Sequence, residues 1–176
     1  MASREALRDF QGRLADRLKQ ARASGASASW LALVAGGHRF LFPLSHSGEI
    51  FPMVPLQRVP YTRDWFLGVG NLRGNLFGIV DFGGYVSGKP VPPRSETQLA
   101  QSRVVVFNPV FGVNCGLLVD SLVGLRNTDS FLRSGTSPAG SPAFFGHLYT
   151  DERGLDWQEI NLQSLSQQPE FLLVSA

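Results

Sequence analysis

A mainly β protein, built as small barrels or a sandwich behind one amphipathic helix, is what this sequence predicts. Three observations carry that expectation. From Trp30 onward, short apolar runs alternate with turn signals, and no second strong helical period follows. Nineteen glycines, eleven prolines and thirteen phenylalanines suit a turn-rich β protein better than a helical bundle. The 176 residues leave room for one ordinary domain or two very small ones, and 43% hydrophobic residues supply a real core.

Residues 1–29 read as a helix followed by a joint. Leu7, Phe10, Leu14, Leu18 and Ala21 fall three or four residues apart and line one side of a helix. Gly25 and the small-residue run ASGASAS at 23–29 end it. Such a helix needs a surface to pack on. Its own domain, a partner protein and an acidic membrane are the three options, and Asp9 and Asp16 weigh against the membrane. The net charge of +2 belongs to this segment. Up to Ala23, six Arg or Lys face three acids, whereas ten face eleven in the remainder. A basic face on the main domain is therefore not expected.

Residues 30–176 form the main domain. WLALVAG (30–36), a Gly36-Gly37 turn and RFLFPL (39–44) make a hairpin. Residues 49–54 and 57–59 read as further short strands separated by prolines. The stretch WFLGVGNLRGNLFGIVDF (65–82) is the most informative one. Two apolar runs flank Asn71-Leu72-Arg73-Gly74-Asn75, whose Asn and Gly residues tolerate the positive φ of a tight reversal. After the turn, Leu76, Gly78, Val80 and Phe82 share one face, with Phe77, Ile79 and Asp81 on the other. Both faces are mostly apolar, which places the strand between packed layers. On its residues alone this is a tight buried hairpin carrying one solvated arginine.

VVVFNPVF (104–111) and VNCGLLVD (113–120) pair next, with Asn108-Pro109 as a turn or kink. LDWQEI (155–160) is a late strand, and Asn161 caps a short helix containing Leu162 and Leu165. Residues 84–101 and 129–142 are rich in Pro, Gly and polar side chains and read as exposed loops. GIVDF (78–82) and GLLVD (116–120) share a Gly-apolar-Asp pattern that a duplicated small barrel would explain, as would chance.

Several chemistries are excluded or weakened. The single Cys115 rules out an internal disulfide and a multi-cysteine metal site, and its strand neighbours Val113, Leu117 and Val119 make it a small core residue. His38, His46 and His147 lack ligand spacing. Gly83 to Lys89 fits the G-x-x-x-x-G-K phosphate-loop pattern, but Pro90 stands where the Mg²⁺-binding Ser or Thr is needed. No Gly-x-Ser-x-Gly elbow is present. No catalytic residue, cofactor or metal site is expected. No run reaches the roughly 20 apolar residues of a membrane span, so the chain reads as soluble and cytosolic. A small β-barrel nucleic-acid binder is the competing class, suggested by the sequence pI of about 9.0 and the many aromatics.

GNLRGNLFGIVDF (70–82) resembles the signature hairpin of CheW-like chemotaxis adaptors, a small apolar pair followed by NLRG, an apolar run and Asp. The resemblance continues in order along the chain. FPLSHSGEI (42–50) is similar to the family's apolar-x-x-V-x-E-I segment, with Ser47 in place of Val. Val59-Pro60 and Trp65-Phe66-Leu67-Gly68 match the lead into NLRG, GLLVD matches G-I-V-V-D, and INLQSL (160–165) resembles V-D-I-x-x-L. The resemblance implies two small five-stranded β-barrels sharing a core. It implies a non-catalytic cytoplasmic scaffold at receptor arrays, linking chemoreceptor-type proteins to a CheA-like histidine kinase through that kinase's regulatory domain. It further implies that barrels of adaptor and kinase join end to end and that the receptor tip docks near the groove between barrels. By position, Glu49, Asn71, Leu72, Arg73 and Gly74 fall where family partner contacts or their supports are found. The basic N-terminal segment is similar to adaptors of pathways controlling type IV pili and twitching.

Overall fold

In the computed structural model, which describes residues 29–90 and 92–176, twelve strands and four short α-helices are laid out. The expected N-terminal helix lies outside the described residues. The Gly36-Gly37 pair, with φ of 57° and 78°, reverses the chain between β1 (Trp30–Ala35) and β2 (His38–Pro43). Next come β3 (Ser47–Pro52), the two-residue β4 (Leu56–Gln57), β5 (Phe66–Leu72) and β6 (Asn75–Asp81). Helices α1 (Phe82–Ser87) and α2 (Glu96–Gln101) lead into β7 (Arg103–Phe107) and β8 (Cys115–Val119). The chain ends with β9 (Ser121–Arg126), β10 (Phe131–Thr136), β11 (Phe145–Asp151), β12 (Asp156–Ile160), α3 (Leu162–Ser166) and α4 (Pro169–Leu172).

These strands form two mixed six-stranded sheets, ordered β10-β11-β12-β2-β1-β9 and β3-β7-β8-β6-β5-β4. Each contains one parallel pair, β12 with β2 and β6 with β8. The pair of five-stranded barrels that the family resemblance implied is therefore corrected to two open sheets. Closure needs edge strands that can carry a full ladder. Here β4 has only two residues, and β3 ends on Pro52, which lacks an N–H. The β1–β9 register slips between Ala32 and Leu33, opposite Gly124 with its φ of 142°.

The main core lies between the sheets. Leu31, Leu33, Phe40, Phe42 and Ile160 of the first sheet meet Val80, Val105, Phe107, Leu117 and Val119 of the second. Phe82, fully buried at the start of α1, packs edge-on against Phe40 and Phe42, with ring centroids 4.9 and 5.1 Å apart. The opposite faces are also apolar. Leu72, Ile79, Val104, Val106 and Leu118 cluster behind the second sheet, and Trp30, Ala32, Leu41 and Trp157 behind the first. Thus the expectation that β6 lies between packed layers holds, with Val80 facing one layer and Ile79 the other. Gly83 fits α1 against the first hairpin, because a Cβ there would lie 2.6 Å from the Gly36 nitrogen.

Three further readings need revision. Residues 129–142 are not one loop, since β10 occupies Phe131–Thr136 and pairs with β11. Residues 84–101 contain the end of α1 and all of α2, whose Ser95–Gln98 capping box fixes its start. GIVDF and GLLVD are parallel neighbours in one sheet, with Val80 opposite Leu117, rather than counterparts in two barrels. The Asn161 cap is as expected, its Oδ1 accepting from the Ser164 N–H at 2.9 Å. At the C-terminus, Phe171 is buried against Trp65, Tyr85 and Phe107. The final residues then run beside residues 61–63, with the Arg63 N–H donating to the Val174 carbonyl.

Candidate functional site

The turn between β5 and β6 is a two-residue reversal flanked by the Leu72–Asn75 pair. Its central residues Arg73 and Gly74 have φ of 51° and 87°. Two successive positive φ values define the hairpin turn whose twist matches the strands, and Gly adopts this conformation without strain. The side chain of Asn71 braces it, with Oδ1 accepting from the Gly74 N–H at 2.8 Å.

Arg73 does not point freely into solvent. Its Nη1 lies 2.7 Å from Oε2 of Glu49, and its guanidinium carbon sits 5.6 Å from the centre of the Phe51 ring. Glu49 and Phe51 belong to β3, while β7, β8 and β6 separate β3 from β5 in the sheet order. The curl of the second sheet brings its far strand back to this turn. Both charged side chains remain open, at 74% and 58% exposure. An ion pair this exposed contributes little to folding, about 0–1 kcal/mol. It presents a fixed, directed charge pair at the surface. Beside it Leu76, opposite Asn71 in the hairpin, is 65% exposed.

The five candidate residues therefore separate by role. Glu49 and Arg73 form the exposed pair, while Asn71 and Gly74 shape the turn. Leu72 is buried in the cluster behind the sheet and anchors the hairpin from inside. Ser47, where the family has Val, is buried rather than displayed, and its hydroxyl donates to the Pro43 carbonyl at 3.0 Å. Leu76 was not singled out from sequence because strand alternation assigns it to the same face as Val80. The hairpin tip, however, projects beyond the layer that covers Val80.

A second polar centre was also hidden. Asp81 ends β6 and Asp120 follows β8, and both reach Arg94 from the proline-rich segment. Arg94 Nη1 lies 2.5 Å from Asp81 Oδ2, and Nη2 lies 2.8 Å from Asp120 Oδ1. Asp81 also caps α1 through the Gly84 N–H, and Asp120 accepts from the Gly36 N–H. Burial opposes the Arg94 charge, but hydrogen bonds and attraction to the two aspartates outweigh it and raise its pKa. The aspartates of the GIVDF and GLLVD runs were the available signal, and their common partner was not visible in sequence.

Lys89 and Gly83 of the G-x-x-x-x-G-K pattern line a cleft of about 560 Å³ here. Residues 82–87 are helical, and Asp81 already occupies the end of that helix. No phosphate loop is formed. Cys115 is buried in β8, and burial pushes its thiol up to about 12. Among the described residues no group of three His, Cys, Asp or Glu is placed to hold a metal ion. No helix among them is long and apolar enough to cross a membrane.

Comparison with known proteins agrees with the sequence resemblance. The CheW-like domain matches residues 29–169. Protein PilI of Pseudomonas aeruginosa is 28% identical over 167 residues, covering 93% of this chain and 89% of that protein. The crystal structure of scaffolding protein TtCheW from Thermoanaerobacter tengcongensis aligns with a TM-score of 0.60 at 17% identity. It covers 77% of this chain and 89% of that chain, and it shows likeness of fold.

Proposed function

Because the chain belongs to the CheW-like domain family, whose members are non-catalytic scaffolds of chemotaxis-like pathways, we propose that it links chemoreceptor-type proteins to a CheA-like histidine kinase. The observation that carries this reading is the exposed Arg73–Glu49 pair on a rigid turn beside the exposed Leu76. A guanidinium held in place offers directed donors to a partner's carbonyls or carboxylate, and an adjacent apolar side chain supplies a dry contact. The pair contributes little to folding, so its main energetic effect falls on association. The likeness to Protein PilI supports placing the scaffold in a pathway that controls type IV pili and twitching.

The nucleic-acid alternative is not favoured. Stacking on bases needs exposed aromatics over a positive groove. Phe40, Phe42, Phe82, Phe107, Phe144 and Phe171 are all buried, and among the described residues Tyr61 is the one large aromatic that is mostly exposed, too few for a stacking surface.

The test is affinity capture from native lysate with wild type and Arg73→Ala, followed by identification of bound proteins. Wild type should retain a CheA-like kinase, and the variant should retain less while melting at an unchanged temperature. Absence of any such kinase, or recovery of nucleic acid instead, would overturn the reading.

A further inference from the structure

At the mouth of the first sheet, remote in sequence from the Arg73 turn, three arginines line a cleft of about 470 Å³. Arg39 comes from β2, Arg126 from the end of β9 and Arg153 from the turn joining β11 to β12. Among the described residues none of the three is in an ion pair, in contrast to Arg73 and Arg94. Asp151 on the wall is already engaged, and the Arg153 charge acts on it. Asp151 accepts from the N–H groups of Arg153 and Leu155 and from Trp157 Nε1, at 2.9, 3.0 and 3.0 Å. Glu152 is the other acid on the wall. Apolar surface lies beside the charges, from Val34 and from Val123, which is 44% exposed.

Two more observations bear on what fits there. Val123 and Arg126 lie on β9, an edge strand, and among the described residues no strand pairs along its outer side. The Ser29 N–H donates to the Arg126 carbonyl, which fixes the backbone at the Arg126 end of the cleft.

We propose that this cleft receives an acidic, extended segment of a partner polypeptide. Carboxylates sit among Arg39, Arg126 and Arg153, and an apolar side chain rests on Val34 and Val123. A polypeptide is favoured over a phosphate-rich partner because only a polypeptide can complete the β9 edge with main-chain hydrogen bonds. The inference is independent of the kinase and receptor reading, and its test uses neither protein.

The probe is a short fluorescein-labelled peptide of repeated Glu-Glu-Leu-Gly, followed by anisotropy with the full chain. Binding should weaken as salt rises, because the attraction is screened. Arg39→Gln/Arg153→Gln should weaken it about tenfold. Glu152→Gln should tighten it about twofold, a gain that misfolding cannot produce. Three results would overturn the proposal. These are no peptide binding, equal binding of a Gln-Gln-Leu-Gly peptide, or unchanged binding by the arginine variant. Tighter binding of a single-stranded oligonucleotide or of phosphatidylglycerol vesicles, lost in the same variant, would overturn the assignment to a polypeptide.

Discussion

Replacing Arg94 with Met removes a guanidinium that is 14% exposed and leaves its partner Asp81, whose side chain is 2% exposed, without a countercharge. The two partners do not contribute equally. Asp120 is 36% exposed, so its pairing resembles a surface ion pair and is worth at most about 1 kcal/mol. Asp81 is sealed beneath α1, and stranding a buried carboxylate costs about 3–5 kcal/mol. At about 3 °C per kcal/mol for a domain of this size, the melting temperature should fall by about 10–15 °C. Scanning calorimetry measures it. The double variant Asp81→Asn/Arg94→Met keeps a side-chain oxygen for the Gly84 N–H while removing the buried charge. It should recover most of the loss. A single variant melting within about 3 °C of wild type, or a double variant no better than the single, would refute the clamp.

Other outcomes follow from the same structure. His46 packs edge-on to Phe111, its Nδ1 is buried without a hydrogen bond, and burial lowers its pKa against a small opposing pull from Glu159. The unfolded chain then binds a proton that the folded one refuses. Stability present above pH 6.5 should fall as pH drops through 6.5 toward the lower folded value, and His46→Gln should flatten that slope in urea melts at several pH values. Cys115 should resist iodoacetamide at pH 8 in the native protein and react once unfolded, as mass spectrometry would show; rapid native labelling would contradict its burial. Gly83→Ala must push α1 away from the first hairpin and should cost about 1–3 kcal/mol in a denaturant titration. Leu72→Ala should cost about 2–4 kcal/mol, whereas its neighbour Arg73→Ala should stay within about 1 kcal/mol, so one pair of melts separates anchor from contact.

Much of the local structure was legible because it depends on neighbours in sequence. The Gly36-Gly37 turn, the Arg73-Gly74 turn and the Asn161 cap each rest on the conformational preferences of one or two residues. The alternation in β6 was legible for the same reason, since successive side chains must point to opposite faces. Strands β9, β10 and β11 were less visible. Phe131–Thr136 carries Arg, Ser, Gly and Thr and becomes a strand by pairing with β11, which no local preference signals.

Residue types and their order along the chain determined the β character, the tight turns, the inert cysteine and the membership of a scaffold family. Tertiary structure alone decided that the sheets stay open and that Glu49 meets Arg73 across the curl of the second sheet. It alone joined Asp81 and Asp120 through Arg94, and gathered Arg39, Arg126 and Arg153 around one cleft. The physical reason is range. Backbone preferences act over a few residues, whereas an ion pair or a cleft depends on which distant strands the sheet twist brings together.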